Sequence, residues 1–184
     1  TQEVIVATLE NGVRFCMFPE GKHRTWHSLQ VLGKGVFRAA LAANEKFGSE
    51  RPIYIVPVGI EYGDYFRYRS TSLVNYGNAI NVTEFVKTHD VENDVQIIEP
   101  LRKELTSRMS ELMTFISDDE NYEAKWSLLK MLSIAGSKKE YGDFGTSLYQ
   151  EMLDNREIAD GIEKALREKP EDMAEILDEV KEFE

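Results

Sequence analysis

One acid stands among several cations, directly after the most apolar stretch near the N-terminus. Glu20 follows the apolar residues 13–18 and Pro19. Neighbouring cations favour the ionised form of a carboxylate, so Glu20 is better suited to accept a hydrogen bond from a hydroxyl than to donate a proton. Arginine and lysine on a loop suit a phosphate. The cations and histidines that follow, with no further acid as far as residue 38, are Lys22, His23, Arg24, His27, Lys34 and Arg38. We therefore expect a ligand with both a hydroxyl and a phosphate; the alternative is that Glu20 only pairs with a local cation.

Residues 13–18 form the element that is expected to position Glu20. Arg14 is the only polar residue of this run, which is typical of a strand buried on both faces of a mostly parallel sheet. Pro19 has no N–H for the ladder, so the strand is expected to end there. In open α/β sheets, ligands bind in the crevice outside the carboxyl ends of the strands, which places Glu20 and Gly21 in that crevice. Cys16 lies inside the run and is predicted to be a packed thiol.

A helix and a second strand are predicted to follow. Apolar residues recur at helical spacing over 36–47, and the helix start, with Lys34, offers a second feature that favours phosphate. The apolar residues 52–60 predict a second strand, and the strand–helix–strand order predicts that it lies parallel to the first. Pro57 is expected to mark a bulge or a strand end near the same crevice; the alternative is that it only shapes the chain. The predicted fold class is α/β, with a mostly parallel sheet flanked by helices.

Aromatic residues alternate with arginines just after the second predicted strand. Tyr65, Phe66 and Tyr68 are interleaved with Arg67 and Arg69. The arginines are expected to close on a phosphate, and the aromatic rings to line an acyl chain or contact a bilayer. The alternative is that this segment only forms a rim around the crevice.

The acidic residues are concentrated in the second half of the chain. Residues 1–92 have ten basic and ten acidic residues, whereas residues 93–184 have 12 and 23, so the second half accounts for the whole net charge of −11. A surface of this sign opposes nucleic acid, so nucleic-acid binding is not expected. Apolar residues at helical spacing after residue 92 predict an acidic, all-helical region over 93–184. A single cysteine fits a reducing compartment, and no run of about 18 apolar residues predicts a membrane span.

Several blocks of the first half resemble the phospholipid/glycerol acyltransferases. The blocks are Phe18-Pro19-Glu20-Gly21, Lys34-Gly35-Val36-Phe37 and Ile55-Val56-Pro57-Val58, in this order. The resemblance implies that residues 1–92 are the C-terminal part of the family's α/β domain. It implies acyl transfer from acyl-CoA or acyl-carrier protein to a hydroxyl of lysophosphatidate or glycerol-3-phosphate, in phospholipid biosynthesis. Thioesters already have a good leaving group, so no metal or other cofactor is expected.

The resemblance also assigns roles to individual residues. Phe18, Pro19, Glu20 and Gly21 are expected to hold the glycerol. The family places a substrate or acyl site near Pro57. Residues expected to hold phosphate are Lys22, His23 or Arg24, with Lys34, Arg67 and Arg69 as outer candidates. Most members have Thr-Arg where this chain has Lys22-His23, which leaves open which of these side chains meets phosphate.

The catalytic pair of the family, HxxxxD, is expected upstream of the Glu20 block, so the chain is interpreted as a fragment that is inactive alone. A formal match at His89 and Asp94 lies downstream of every other block and is not interpreted as catalytic. His27 is interpreted as a surface histidine, because no acid follows at the spacing that would orient it. The full protein is expected in the cytoplasm, peripheral to or anchored on a membrane. The alternative function is a non-catalytic anion-binding or scaffolding module; an α/β hydrolase is disfavoured by the lack of a G-x-S-x-G elbow.

Overall fold

The computed structural model describes residues 2–22, 24–89, 94–136 and 147–183. Within these ranges the chain forms seven helices and four short strands. In chain order they are α1 (Gln2–Glu10), α2 (Lys34–Phe47), β1 (Tyr54–Ile55), β2 (Val58–Tyr62), β3 (Ser72–Tyr76), β4 (Ile80–Asn81), α3 (Val82–His89), α4 (Asp94–Ser110), α5 (Tyr122–Gly136), α6 (Leu148–Glu168) and α7 (Pro170–Glu182).

The predicted mostly parallel sheet is wrong. The described strands form two separate antiparallel sheets of two strands each, in which β1 pairs with β4 and β2 pairs with β3. In the first sheet Tyr54 lies opposite Asn81 and Ile55 lies opposite Ile80. The predicted break at Pro57 is confirmed, because β1 ends before it and β2 begins after it. Helices, not a central sheet, therefore make up most of the described fold.

The predicted strand over residues 13–18 is also wrong. These residues form no strand, and Phe18 is 77% exposed. Cys16, expected to be packed, is exposed. α1 ends at a turn in which Gly12 has φ +78° and the Val13 N–H donates to the Thr8 carbonyl. A strand needs a neighbour to satisfy its backbone groups, and within the described ranges no strand pairs with this run.

The contacts divide the chain into two compact units, and α2 is central to the first. This unit comprises Thr1–Arg24, Gln30–Gly59 and Tyr76–Leu112. The predicted helix 36–47 is confirmed as α2, which packs on α1, α3 and α4. Phe37 of α2 is fully buried, together with Leu32, Val82 and Leu101 from the surrounding segments. The buried apolar stripe of α2 therefore forms much of the core of this unit.

Hydrogen bonds and close backbone packing join the short elements of the first unit. The Thr83 hydroxyl accepts the Ile53 N–H at 3.0 Å and donates to Asn44 Oδ1 at 2.6 Å. Gly59 lies against the turn after α4, where an added Cβ would be 2.4 Å from the Leu112 carbonyl oxygen. At this point of close approach, glycine is the only residue that fits without displacement.

The second unit comprises Thr25–Leu29, Ile60–Asn75 and Met113–Glu184. Here α5 packs on both α6 and α7. Lys125 of α5 is only 1% exposed, and its ammonium donates to Asp119 and Glu163, both at 2.8 Å, and to the Ser117 carbonyl at 3.1 Å. All three protons of this buried cation have acceptors, as burial of a charge requires. The predicted domain boundary between residues 92 and 93 stays a prediction.

Candidate functional site

The residues 18–21 form a tight turn. The Gly21 N–H donates to the Phe18 carbonyl at 3.3 Å, with Pro19 and Glu20 as the two central residues. Proline is favoured at the first central position of such a turn, because its φ is already fixed at a suitable value. Gly21 has φ +68°, a conformation that strains residues with a side chain. The turn therefore explains why Pro19 and Gly21 flank the acid.

The turn lies against the beginning of α2. The Gly33 N–H donates to the Pro19 carbonyl at 2.7 Å. A Cβ added to Gly33 would lie 3.1 Å from the same oxygen, and one added to Gly35 would lie 3.7 Å from the Met17 methyl carbon. The close approach at Gly33 thus allows the turn to pack directly on the start of the helix, whereas a side chain at Gly35 would make only an ordinary contact.

The Glu20 carboxylate closes the loop that connects the turn to the helix. Its Oε2 accepts the Gln30 N–H at 3.0 Å, and the Gln30 side chain donates to the Lys22 carbonyl at 3.3 Å. Glu20 is half-buried, and no described residue donates a hydrogen bond to its Oε1. One carboxylate oxygen is therefore used for structure, while the other is able to accept a hydrogen bond from a ligand hydroxyl.

Three cations of the first unit lie along this loop or at the start of α2. Lys22 and Lys34 are exposed, and Arg24 is half-buried. Gly33 caps α2 without a side chain that could satisfy the first N–H groups, so these N–H groups and the helix dipole favour an anion. The sequence-predicted acid and the phosphate-favouring helix start are therefore brought together by the Gly33–Pro19 contact. His23 lies outside the described residues.

A cavity of about 330 Å³ in the first unit includes Lys34 in its wall. Arg38, Glu45 and Glu99 also line this cavity, whereas Glu20 does not. Two cations and two acids give it no clear preference for an anion. The cavity therefore does not strengthen the assignment of a phosphate site at the Glu20 turn.

Pro57 packs inside the first unit. Its side chain is fully buried, and its carbonyl accepts the Gly77 N–H at 3.0 Å. A Cβ added to Gly77 would lie 3.0 Å from the Pro57 ring. The ring itself is therefore not accessible to a ligand, and the role of the surrounding block in substrate binding stays a prediction.

Arg67 and Arg69 lie in the second unit, on the loop that joins β2 to β3. Both are exposed, and the Arg69 guanidinium lies 5.6 Å from the centre of the Tyr68 ring. Arg69 has φ +64°, which is uncommon for a residue with a side chain. The structure thus assigns these two arginines to a different unit from Glu20, and their predicted role as phosphate ligands stays untested.

His27 has an acidic partner, Glu61, that the sequence did not predict. Nδ1 of His27 lies 3.2 Å from Oε1 of Glu61, a residue of β2 that is 7% exposed. The Glu61 Oε2 accepts the Thr114 N–H at 3.2 Å, and the His27 ring stacks on Trp126. Spacing along the chain could not identify Glu61 as the partner, because it lies 34 positions later. The only sign in the sequence that Glu61 is unusual is that it is an acid within an apolar strand. These contacts attach Thr25–Leu29 to the second unit.

Comparison with protein-family models, with curated proteins and with solved structures finds no match. In the described residues, no group of three or more histidine, cysteine, aspartate or glutamate side chains is arranged to hold a metal ion. Among those residues, no helix has both the length and the apolar character needed to cross a bilayer.

Proposed function

We propose that the chain takes part in acyl transfer to a phosphorylated glycerol, with the Glu20 turn as the acceptor site. The contact between the Pro19 carbonyl and the Gly33 N–H is the observation that supports this function best. It places a carboxylate, one oxygen of which receives no hydrogen bond from a described residue, beside a helix start that favours phosphate. A glycerol phosphate has the two groups that this pair of features would bind.

In this proposal the two ends of the acceptor are held by different groups. Oε1 of Glu20 accepts a hydrogen bond from a glycerol hydroxyl, which orients that hydroxyl. Lys22, Lys34 and the first N–H groups of α2 attract the phosphate. The acyl group comes from a thioester of coenzyme A or of acyl-carrier protein, and the acceptor is glycerol-3-phosphate or lysophosphatidate. We further propose that the protein works at the cytoplasmic surface of a membrane, where a lysophospholipid acceptor resides.

Calorimetric titration of the chain with glycerol-3-phosphate tests the acceptor site. Glu20→Gln keeps an acceptor for the Gln30 N–H but removes the charge that binds the hydroxyl. A hydrogen bond to a charged group contributes about 1.5–3 kcal/mol, so affinity should fall by about tenfold or more. Glu84→Gln, which changes an exposed acid on α3 of the same unit, should leave affinity unchanged.

Two further ligands separate this proposal from the alternative. Inorganic phosphate has no hydroxyl-bearing carbon, so its affinity should be lower. Glu20→Gln should not weaken phosphate binding and should, if anything, strengthen it, because the change removes a nearby negative charge. If phosphate and glycerol-3-phosphate bind equally well and Glu20→Gln affects neither, the acceptor site is wrong. That result would instead support a non-catalytic anion-binding module.

A further inference from the structure

The hairpin of β2 and β3 exposes an apolar face in the second unit. Along β2, Glu61 points inward while Ile60 and Tyr62 are exposed, as the two-residue alternation of a strand requires. On the paired strand, Val74 is exposed. The loop between the strands adds more apolar surface. We call this set the aromatic hairpin: Ile60, Tyr62, Tyr65, Phe66, Tyr68 and Val74.

The orientation of the aromatic hairpin is set by its inner face. Glu61 is held by the Thr114 N–H and lies 3.2 Å from the His27 ring. Turning the outer face inward would bury Ile60 and Tyr62 but would also expose Glu61 and break both contacts. The register of the strand therefore keeps the outer face exposed.

The loop at the end of the hairpin is held by its own hydrogen bonds. The Gly63 N–H donates to the Thr71 carbonyl at 2.9 Å, and the Asp64 N–H donates to the Ser70 hydroxyl at 2.7 Å. The Phe66 N–H donates to the Asp64 carboxylate at 3.0 Å. Such a loop keeps its shape without burying its tip, so its aromatic residues remain displayed.

The side chains at the tip have the chemistry of a membrane interface. Phe66 is 85% exposed and Tyr68 is 87% exposed. Tyrosine rings prefer the headgroup level of a bilayer, and phenylalanine inserts at the boundary with the acyl chains. Arg67 and Arg69 are both exposed beside these rings, where they would meet anionic headgroups. The net charge of −11 opposes an anionic surface elsewhere, so attraction depends on these local cations.

We propose that the aromatic hairpin is the surface by which this chain docks on a membrane containing anionic lipid. The tip inserts Phe66 and Tyr68 into the interface, while Arg67 and Arg69 contact lipid phosphates. This inference extends the membrane location in the proposed function and does not involve the Glu20 turn. It assigns the two arginines to lipid headgroups and not to a soluble acceptor.

Flotation with phosphatidylcholine vesicles, with and without phosphatidylglycerol, tests the proposal on the whole chain. The chain should float with vesicles that contain phosphatidylglycerol. Phe66→Ser and Tyr68→Ser should each lower the partition coefficient by about tenfold, because each removes a large apolar side chain from the interface. Phe183→Ser is the matched control, since Phe183 is 82% exposed at the end of α7; it should leave binding unchanged.

The charge contribution is tested by Arg69→Gly, which removes the cation and suits the positive φ at this position. It should lower binding about fivefold with phosphatidylglycerol present and have little effect without it. The headgroup of phosphatidylglycerol is itself a glycerol phosphate, so the Glu20→Gln control uses vesicles in which phosphatidylserine supplies the negative charge. Glu20→Gln should not change binding to those vesicles, so failure of the acceptor site and failure of the docking surface are distinguishable. The chain already contains Trp26 and Trp126, so quenching of Tyr68→Trp by brominated lipids should exceed that of the wild type if the tip inserts.

Three results would overturn the docking surface. The first is a chain that stays with the aqueous fraction for both kinds of vesicle. The second is an equal loss of binding in Phe183→Ser and Phe66→Ser. The third is a wild-type chain that forms a dimer which Phe66→Ser dissociates, since the same face would then be covered by a second copy.

Discussion

Replacement of Gly59 by alanine should destabilise the first unit strongly, because the added methyl group has no space. It would lie 2.4 Å from the Leu112 carbonyl oxygen, 2.7 Å from the Leu112 Cβ and 2.9 Å from its carbonyl carbon. Two of these three atoms belong to the backbone, so rotation of a side chain cannot relieve the overlap. The turn after α4 would have to move by about 1 Å to restore ordinary contact distances.

The cost of this movement follows from the behaviour of other overpacked cores. An extra methyl in a well-packed site costs about 1–3 kcal/mol, and more where the backbone must shift. We therefore expect Gly59→Ala to lower the free energy of unfolding by about 3 kcal/mol. Gly35→Ala is the matched control in the same unit, since its added Cβ would meet only the Met17 methyl carbon, at 3.7 Å. Alanine is the better helix former, so this change should raise stability by about 0.5 kcal/mol.

Urea unfolding followed by far-ultraviolet circular dichroism measures both changes. The Gly59→Ala midpoint should fall well below that of the wild type, and the Gly35→Ala midpoint should lie at or slightly above it. An unchanged midpoint for Gly59→Ala would show that the turn after α4 can move at little cost in free energy. An equal loss in both variants would show that the close approach at Gly59 is not the cause.

Two further changes test other parts of the packing. Thr83→Val should lower the free energy of unfolding in urea by about 2 kcal/mol, because it leaves the buried Ile53 N–H and Asn44 Oδ1 without their shared hydroxyl. Thr83→Ser should recover most of this loss. A Thr83→Val variant as stable as the wild type would refute the role of the network. Gly161→Ala should stabilise α6 by about 1 kcal/mol, because an added Cβ meets nothing within 4 Å. Fluorescence of Trp26 and Trp126, both in the second unit, measures the latter change during unfolding, and a destabilised variant would contradict it.

Helix α2 was predictable because its signals are local. Apolar spacing over 36–47 and the following Gly48 were sufficient to predict α2, which ends at Phe47. A strand depends on a partner from any part of the chain, and an apolar run does not specify one. The run at residues 13–18 therefore suggested a buried strand, whereas the described chain leaves Phe18 exposed. The number and direction of the strands could not be derived from composition for the same reason.

The candidate site was predictable in its parts but not in its assembly. The acid at position 20 and the phosphate-favouring start of α2 were both identified from residue types. Their proximity depends on the hydrogen bond between Gly33 and Pro19, which no local pattern indicates. The pairing of His27 with Glu61 was not predictable from spacing, because folding brings a loop residue against a strand residue 34 positions later.

The exposed position of Cys16 makes the candidate site accessible to spectroscopy. Cys16 is the only cysteine of the chain, and it lies two residues before the turn that begins at Phe18. A maleimide dye would therefore attach at a single position without any cysteine replacement. A fluorophore sensitive to polarity at this position would report directly whether a glycerol phosphate settles beside Glu20, and a spin label there would measure how the mobility of the segment changes on binding.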